Sequence, residues 1–210
     1  MDQPPTTVKE SSVANARAVL WDLDGTLVDS EEYHWLSWRD AMRAEGVELS
    51  YEAFLASFGQ RNDRILAGWL GAGADPARLV RIGNGKEAEY RRLAETRGLT
   101  PLPGAREWLV ALRRAGWKQA IASSAPRENV ETMLRVLDLT QYLDAIVSAE
   151  DVTTGKPDPQ VFLTAAGRLG ADPSRCIVVE DAAAGADAAH TRASRTLDTG
   201  RDARVCAASV

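Results

Sequence analysis

The chain has 210 residues, 45% of them hydrophobic and 26% charged, and its 25 basic against 30 acidic side chains leave a net charge of −5. That length suits one domain, or one domain carrying a small inserted one, with ample apolar material for a core. The absence of any Lys/Arg block argues against a nucleic-acid partner, the two cysteines (Cys176 and Cys206) rule out a disulfide framework or a Cys-rich metal site, and no stretch approaches the length needed to span a membrane.

Residues 1 to about 16 are polar and Pro-containing, lack the apolar run of a signal peptide, and read as a flexible tail. A cytoplasmic protein is the expectation. Ala18-Val19-Leu20-Trp21 is an apolar run of the kind a buried parallel strand shows, and it leads into Asp22-Leu23-Asp24-Gly25-Thr26. Two carboxylates two residues apart at a strand end form a costly like-charge pair, which a metal ion or a transferring phosphoryl group makes useful. Gly25 lets the backbone approach a ligand closely.

From roughly Val28 to Gly98 the chain carries helix signals and no convincing strand. Ser30 before Glu31 and Glu32 predicts an N-cap for a helix running toward Gly46. Asn62 is the expected cap for Asp63–Leu70, and Asp75-Pro76 for a helix that ends before Gly98. After Pro101 strands and helices alternate. Helix Ala105–Ala115 closes on Gly116, strand Lys118–Ala122 meets Ser123-Ser124, and a helix follows Pro126. Strand Ala145–Val147 leads to the loop with Lys156, helix Gln160–Leu169 closes on Gly170, and strand Cys176–Val179 meets Glu180-Asp181. Cys176 is expected in the core. Such alternation predicts a doubly wound parallel α/β sheet, whose ligands sit beyond the carboxyl ends of the strands.

Four segments together resemble the haloacid dehalogenase superfamily, on its phosphotransferase side. They are Asp22-Leu23-Asp24-Gly25-Thr26 after an apolar strand, Ile121-Ala122-Ser123-Ser124, Gly155-Lys156-Pro157-Asp158 and Val178-Val179-Glu180-Asp181. Asp29-Ser30-Glu31-Glu32-Tyr33-His34 and Pro101-Leu102-Pro103-Gly104 are similar to the β-phosphoglucomutase-like phosphatases. The resemblance implies a Rossmann-like core from 17–27 and 99–210, with residues 28–98 inserted as a small helical cap. One continuous domain with a long crossover is the alternative. Thr26–Val28 and Thr100-Pro101 would be the hinges.

The chemistry implied is hydrolysis of a small, sugar phosphate-like monoester by a monomer. Asp22 would be the nucleophile, forming an aspartyl-phosphate, and Asp24 the general acid and then base. Mg²⁺ would be held by Asp22, Asp181 and the backbone carbonyl of Asp24, with Glu180 near it directly or through water. Lys156 and Ser123 would stabilise the transferring group, helped by backbone N–H groups of the loop after Asp22 (Gly25, Thr26) and of Ser124. Ser124 is equally a candidate N-cap, and Asp158 a cap for the next helix. On the cap, His34, Gln60, Arg61 and Asn62 are candidate substrate contacts, although a histidine among aromatics is more often packed than reactive.

A mutase must also hold a distal phosphate with Lys and Arg. Here Ser57-Phe58-Gly59-Gln60-Arg61-Asn62 has Phe58 where the mutase lysine stands, so hydrolysis is preferred and a β-phosphoglucomutase activity is the alternative. Beyond Gly185 the pattern weakens. Ala193 occupies the place of a closing glycine, and Thr196-Leu197-Asp198-Thr199 reads as a poor strand. A non-catalytic or poorly folded chain is therefore an alternative of another kind.

Overall fold

A strand buried on both faces needs apolar side chains throughout, and β1 (Ala18–Trp21) has them, all four being buried. In the computed structural model, which describes residues 16–71, 73–190 and 195–198, β1 is the centre of a five-stranded parallel sheet. β2 (Lys118–Ala122) and β4 (Cys176–Glu180) flank it, and β3 (Ala145–Val147) and β5 (Arg195–Asp198) form the edges, in the order β3-β2-β1-β4-β5. Trp21 lies opposite both Ile121 and Val179. The three central strands therefore end at one level, and the residues after them share one rim.

Alternation along the strands divides the core in two. Ala18, Leu20, Ala120 and Val178 face α7 (Gln160–Leu169) and α8 (Ala183–His190), packing on Phe162, Ala165, Leu169 and Ala188. Val19, Trp21, Ile121 and Val179 face α5 (Ala105–Arg114) and α6 (Arg127–Val136), packing on Leu109, Val130 and Met133. Helices on both faces make this the doubly wound α/β arrangement.

Between β1 and α5 the described residues build four helices and no strand of the sheet: α1 (Glu31–Ala44), α2 (Tyr51–Ser57), α3 (Asn62–Leu70) and α4 (Pro76–Arg97). They bury a separate apolar cluster of Trp38, Met42, Phe54, Ile65, Leu66 and Ile82. The chain leaves and re-enters the sheet layer at one place. Val28 bridges Pro101, and the Leu102 amide donates to the Leu27 carbonyl at 2.9 Å.

Two expected caps are overridden by tertiary partners. Ser30 occupies the N-cap position of α1, but its hydroxyl donates to Asp24 at 2.5 Å instead of capping. Asn62 is the first residue of α3, Arg61 takes the cap position, and the Asn62 amide reaches Glu87 at 2.6 Å. Neither Ser124 nor Asp158 takes an N-cap position: Pro126 precedes α6 and Pro159 precedes α7, although Asp158 accepts the Gln160 amide at 2.9 Å. Asp75 caps α4 as expected, accepting from the Ala77 amide at 3.1 Å.

The weak-strand reading of 196–199 is corrected as well. Arg195–Asp198 pairs in register with Ile177–Glu180, since an edge strand of a sheet needs backbone pairing more than a continuous apolar run. The expected tail up to residue 15, Ala193 and Cys206 lie outside the described residues. Cys176 is buried, and burial with Asp172 nearby pushes its thiol up to about 11, as befits a core residue. Among the described residues no helix is long and apolar enough to cross a membrane.

One polar side chain pins the core. Buried Gln119 accepts from the Trp21 indole at 3.1 Å and donates to the carbonyls of Leu109 (2.8 Å) and Tyr142 (3.2 Å). Gln119→Leu strands these partners, and urea unfolding should show a loss of about 2–4 kcal/mol.

Candidate active site

The shared rim of the sheet brings the predicted residues together. Asp22 follows β1, Ser123 follows β2, Lys156 comes from the loop beyond β3, and Glu180-Asp181 stand at the end of β4. The Lys156 ammonium, buried, donates to Asp22 at 2.5 Å and to Glu180 at 2.6 Å. The other Glu180 oxygen accepts the Ala182 amide at 3.0 Å. Thr26, fully buried, donates its hydroxyl to Asp181 at 3.1 Å.

Two glycines make room for these carboxylates. A Cβ on Gly25, which has φ +85°, would fall within the Asp181 carboxylate, and one on Gly185 within that of Glu180. Even alanine at either position would displace an acidic side chain.

Asp22, Glu180 and Asp181 each offer an oxygen, all within 4.8 Å of one another. Burial, with Glu180 beside them, pushes Asp22 well above its ordinary value and Asp181 up to about 6. Three carboxylates against one ammonium leave two negative charges in excess. An all-oxygen donor set with that deficit fits a hard divalent cation such as Mg²⁺.

Asp24 stands apart from this cluster, its carboxylate turned toward the helical block. One oxygen accepts from Ser30 at 2.5 Å and from Tyr90 at 3.2 Å, and meets His34 Nε2 at 3.0 Å. Burial pushes the Asp24 carboxyl up, but His34, Ser30 and Lys86 outweigh it and hold it at about 2. The two aspartates thus lie in different environments, and Asp24, which the expected assignment wants protonated as the acid, is held ionised at neutral pH.

His34 stacks on Tyr90, with 4.1 Å between ring centroids, and its Nδ1 lies 2.8 Å from the Lys86 ammonium. An ammonium can only donate, so Nδ1 accepts and Nε2 presents the proton to Asp24. Lys86 in turn pairs with Glu87 at 2.9 Å.

A cleft of about 500 Å³, mouth included, separates the helical block from the sheet rim. Asp22, Asp24, His34, Gln60, Asn62, Ser123 and Ser124 line it. Ser123 accepts from the Ala125 amide at 3.0 Å and keeps its hydroxyl proton to donate.

Three expected contacts are placed differently. Thr26 orients Asp181. The Gly25 amide is taken by the Val28 carbonyl at 2.8 Å. Arg61 turns out of the cleft and donates to the carbonyls of Ala149 and Val152, both at 3.1 Å, because Gly155 leaves room for its stem.

Sequence reasoning missed Lys86, Glu87 and Tyr90. The signal was present. Ile82, Lys86, Glu87, Tyr90, Leu93 and Ala94 recur at helical spacing on the buried face of α4, and two opposite charges on an otherwise apolar stripe are out of place unless they work there.

Comparison with known proteins agrees with this geometry. The family model of the haloacid dehalogenase-like hydrolases matches residues 16–191. The chain belongs to this family. It is 32% identical over 183 residues to hexitol phosphatase B of Escherichia coli (strain K12), covering 86% of this chain and 82% of that one. It is 34% identical over 203 residues to SUPPRESSOR OF QUENCHING 1 of Arabidopsis thaliana, a chloroplastic protein of which it spans 19%. The crystal structure of β-phosphoglucomutase from Clostridium difficile superposes with a TM-score of 0.80 at 26% identity, covering 88% of this chain and 86% of that one. The fold and the resemblance read from the four sequence segments are those of this family.

A cation bound at this cluster would compete with a proton for Asp181. Its raised value means that the folded state binds the proton more tightly than the unfolded chain does. Stability is therefore lost as pH rises from the ordinary carboxylate value through about 6. The depressed value of Asp24 works the other way, its contribution fading as pH falls toward about 2. Mg²⁺ at a hundred times its dissociation constant should stabilise by about 2.7 kcal/mol. The rise in melting midpoint should be larger at about pH 7.5 than at about pH 5, where Asp181 holds its proton. An equal rise at both pH values would contradict the assignment of Asp181.

Proposed function

We propose that the chain is a Mg²⁺-dependent phosphatase that hydrolyses a small, sugar phosphate-like monoester through an aspartyl-phosphate on Asp22. The observation that carries this reading is the buried Lys156 ammonium held between Asp22 and Glu180, with Asp181 beside them at the rim of the sheet. The hexitol phosphatase relative supports the substrate class.

In the first transfer an Asp22 oxygen attacks phosphorus, and the bond from phosphorus to the ester oxygen breaks. The departing oxygen takes a proton from Asp24, which must gain one as the ester binds because it stands ionised at neutral pH. In the second transfer water attacks the same phosphorus, gives its proton back to Asp24, and releases phosphate and free Asp22. Lys156 and Ser123 offset the charge on the phosphoryl oxygens. The cation would be held by Asp22, Asp181 and the Asp24 carbonyl, with Glu180 directly or through water, and when bound it would supply the missing positive charge.

We assign α1–α4, residues 28–98, to a cap that closes over this site. Its separate apolar cluster and the single crossing at Val28 and Pro101 support a hinge there. Closure would exclude water during the first transfer.

Hydrolysis is preferred over mutase chemistry because the loop before α3 offers Phe58 to the cleft while Arg61 is engaged by core carbonyls. Purified protein with Mg²⁺ and a panel of sugar phosphates should release free phosphate. Formation of an isomer with a bisphosphate primer would point to a mutase instead. Asp22→Ala should abolish turnover, and Lys156→Ala should lower kcat by roughly a hundred- to a thousandfold. Full turnover by Asp22→Ala would contradict the proposal.

A further inference from the structure

Glu87 is a buried carboxylate that the chemistry above leaves unused. It leaves α4 toward the cleft and is fully engaged. One oxygen accepts from Lys86 at 2.9 Å and Asn62 at 2.6 Å, and the other accepts from Asn129 of α6. Two helical-block residues and one sheet-layer residue thus fix it in place. Glu87 is held below its ordinary value: burial raises it, but Lys86, His34 and Asn62 prevail, so the group is ionised at neutral pH.

The position matters because of what else lines the cleft. Among the described residues there, Lys86 is the one Lys or Arg, against Asp22, Asp24 and Glu87. Lys156 is committed to Asp22 and Glu180, and Arg61 lines the adjoining hollow beyond Asn62 and Glu87 with its guanidinium given to the Ala149 and Val152 carbonyls. The charge of Lys86 is therefore already matched. A second phosphate or a carboxylate on the substrate would sit in this pocket beside Glu87 and Asp24 with no cation left to receive it. The rest of the wall is neutral, with Trp38, Phe54, Phe58 and Ile65 beside Gln60 and Asn62, and it tolerates carbon and hydroxyl groups far better than a bare charge.

We infer that Glu87 sets substrate choice by neutralising Lys86, so that the site accepts phosphomonoesters whose non-transferring end is uncharged, such as polyols and simple sugars, and rejects bisphosphates and phosphorylated acids. This rests on the phosphatase reading, and it makes Glu87 a specificity-determining residue without a part in bond breaking.

The test compares phosphate release from fructose 1-phosphate and from fructose 1,6-bisphosphate, with Mg²⁺, on the same preparation. Wild-type kcat/KM should favour the monophosphate by roughly tenfold or more. Glu87→Gln keeps the size and the acceptor oxygen but frees the Lys86 charge, so the ratio should narrow several-fold, through KM for the bisphosphate. Both substrates see one preparation, so partial misfolding cancels from the ratio, and the wild-type comparison stands even where the variant does not fold. Equal or better use of the bisphosphate by wild type would overturn the inference while leaving the phosphatase reading intact, as would an unchanged ratio in Glu87→Gln. Release of phosphate from neither of these nor from any other sugar phosphate would instead overturn the phosphatase reading itself.

Discussion

A single buried ammonium organises this site. Lys156 reaches across the rim of the sheet and bonds Asp22 from one strand and Glu180 from the next. Each carboxylate would be costly to bury alone, and together they would repel. The ammonium makes the pair tolerable, but it does not make the rim neutral, since Asp181 stands beside them. With all three carboxylates ionised the rim carries two uncompensated negative charges where ligands of doubly wound sheets bind. That deficit, with oxygen-only donors, is what gives the site its call for a divalent cation and, through it, for an anionic substrate.

A second charge system faces the first across the cleft. Asp24, His34, Lys86 and Glu87 form a chain of contacts running from the loop after β1 into α4. Asn129 then ties Glu87 back to α6. On the proposed reading the sheet rim handles the phosphoryl group, while the helical block sets the polarity of the space where the rest of the substrate would lie. The two systems differ in balance. The rim carries a net charge waiting for a partner, and the helical wall carries opposite charges already matched.

Much of this was legible in the sequence because it is local. Short strand signals ending in Asp, Ser or Glu located β1 to β4, and residues at or just past the ends of β1, β2 and β4 are ones that the sheet assembles. What escaped reading depends on partners far along the chain. Ser30 and Asn62 are good caps by local rules, yet carboxylates at Asp24 and Glu87 take their side chains. Arg61 looks like a phosphate ligand in the one-dimensional pattern, but Ala149 and Val152 offer it carbonyls. The edge strand Arg195–Asp198 lacks an apolar pattern because backbone pairing with β4 is enough to place it. Lys86 and Glu87 could have been found, since charges on the buried stripe of α4 break its period.

The most direct measurement is a double-mutant cycle in stability between Lys156 and Glu180, using Lys156→Met, Glu180→Gln and the combined variant in denaturant unfolding without added metal. If the ammonium compensates the strand-end carboxylates, Lys156→Met alone should cost about 3–5 kcal/mol. Adding Glu180→Gln should then recover part of that loss, giving a coupling of about 1–3 kcal/mol. Losses that simply add, or a Lys156→Met protein as stable as the parent, would contradict it.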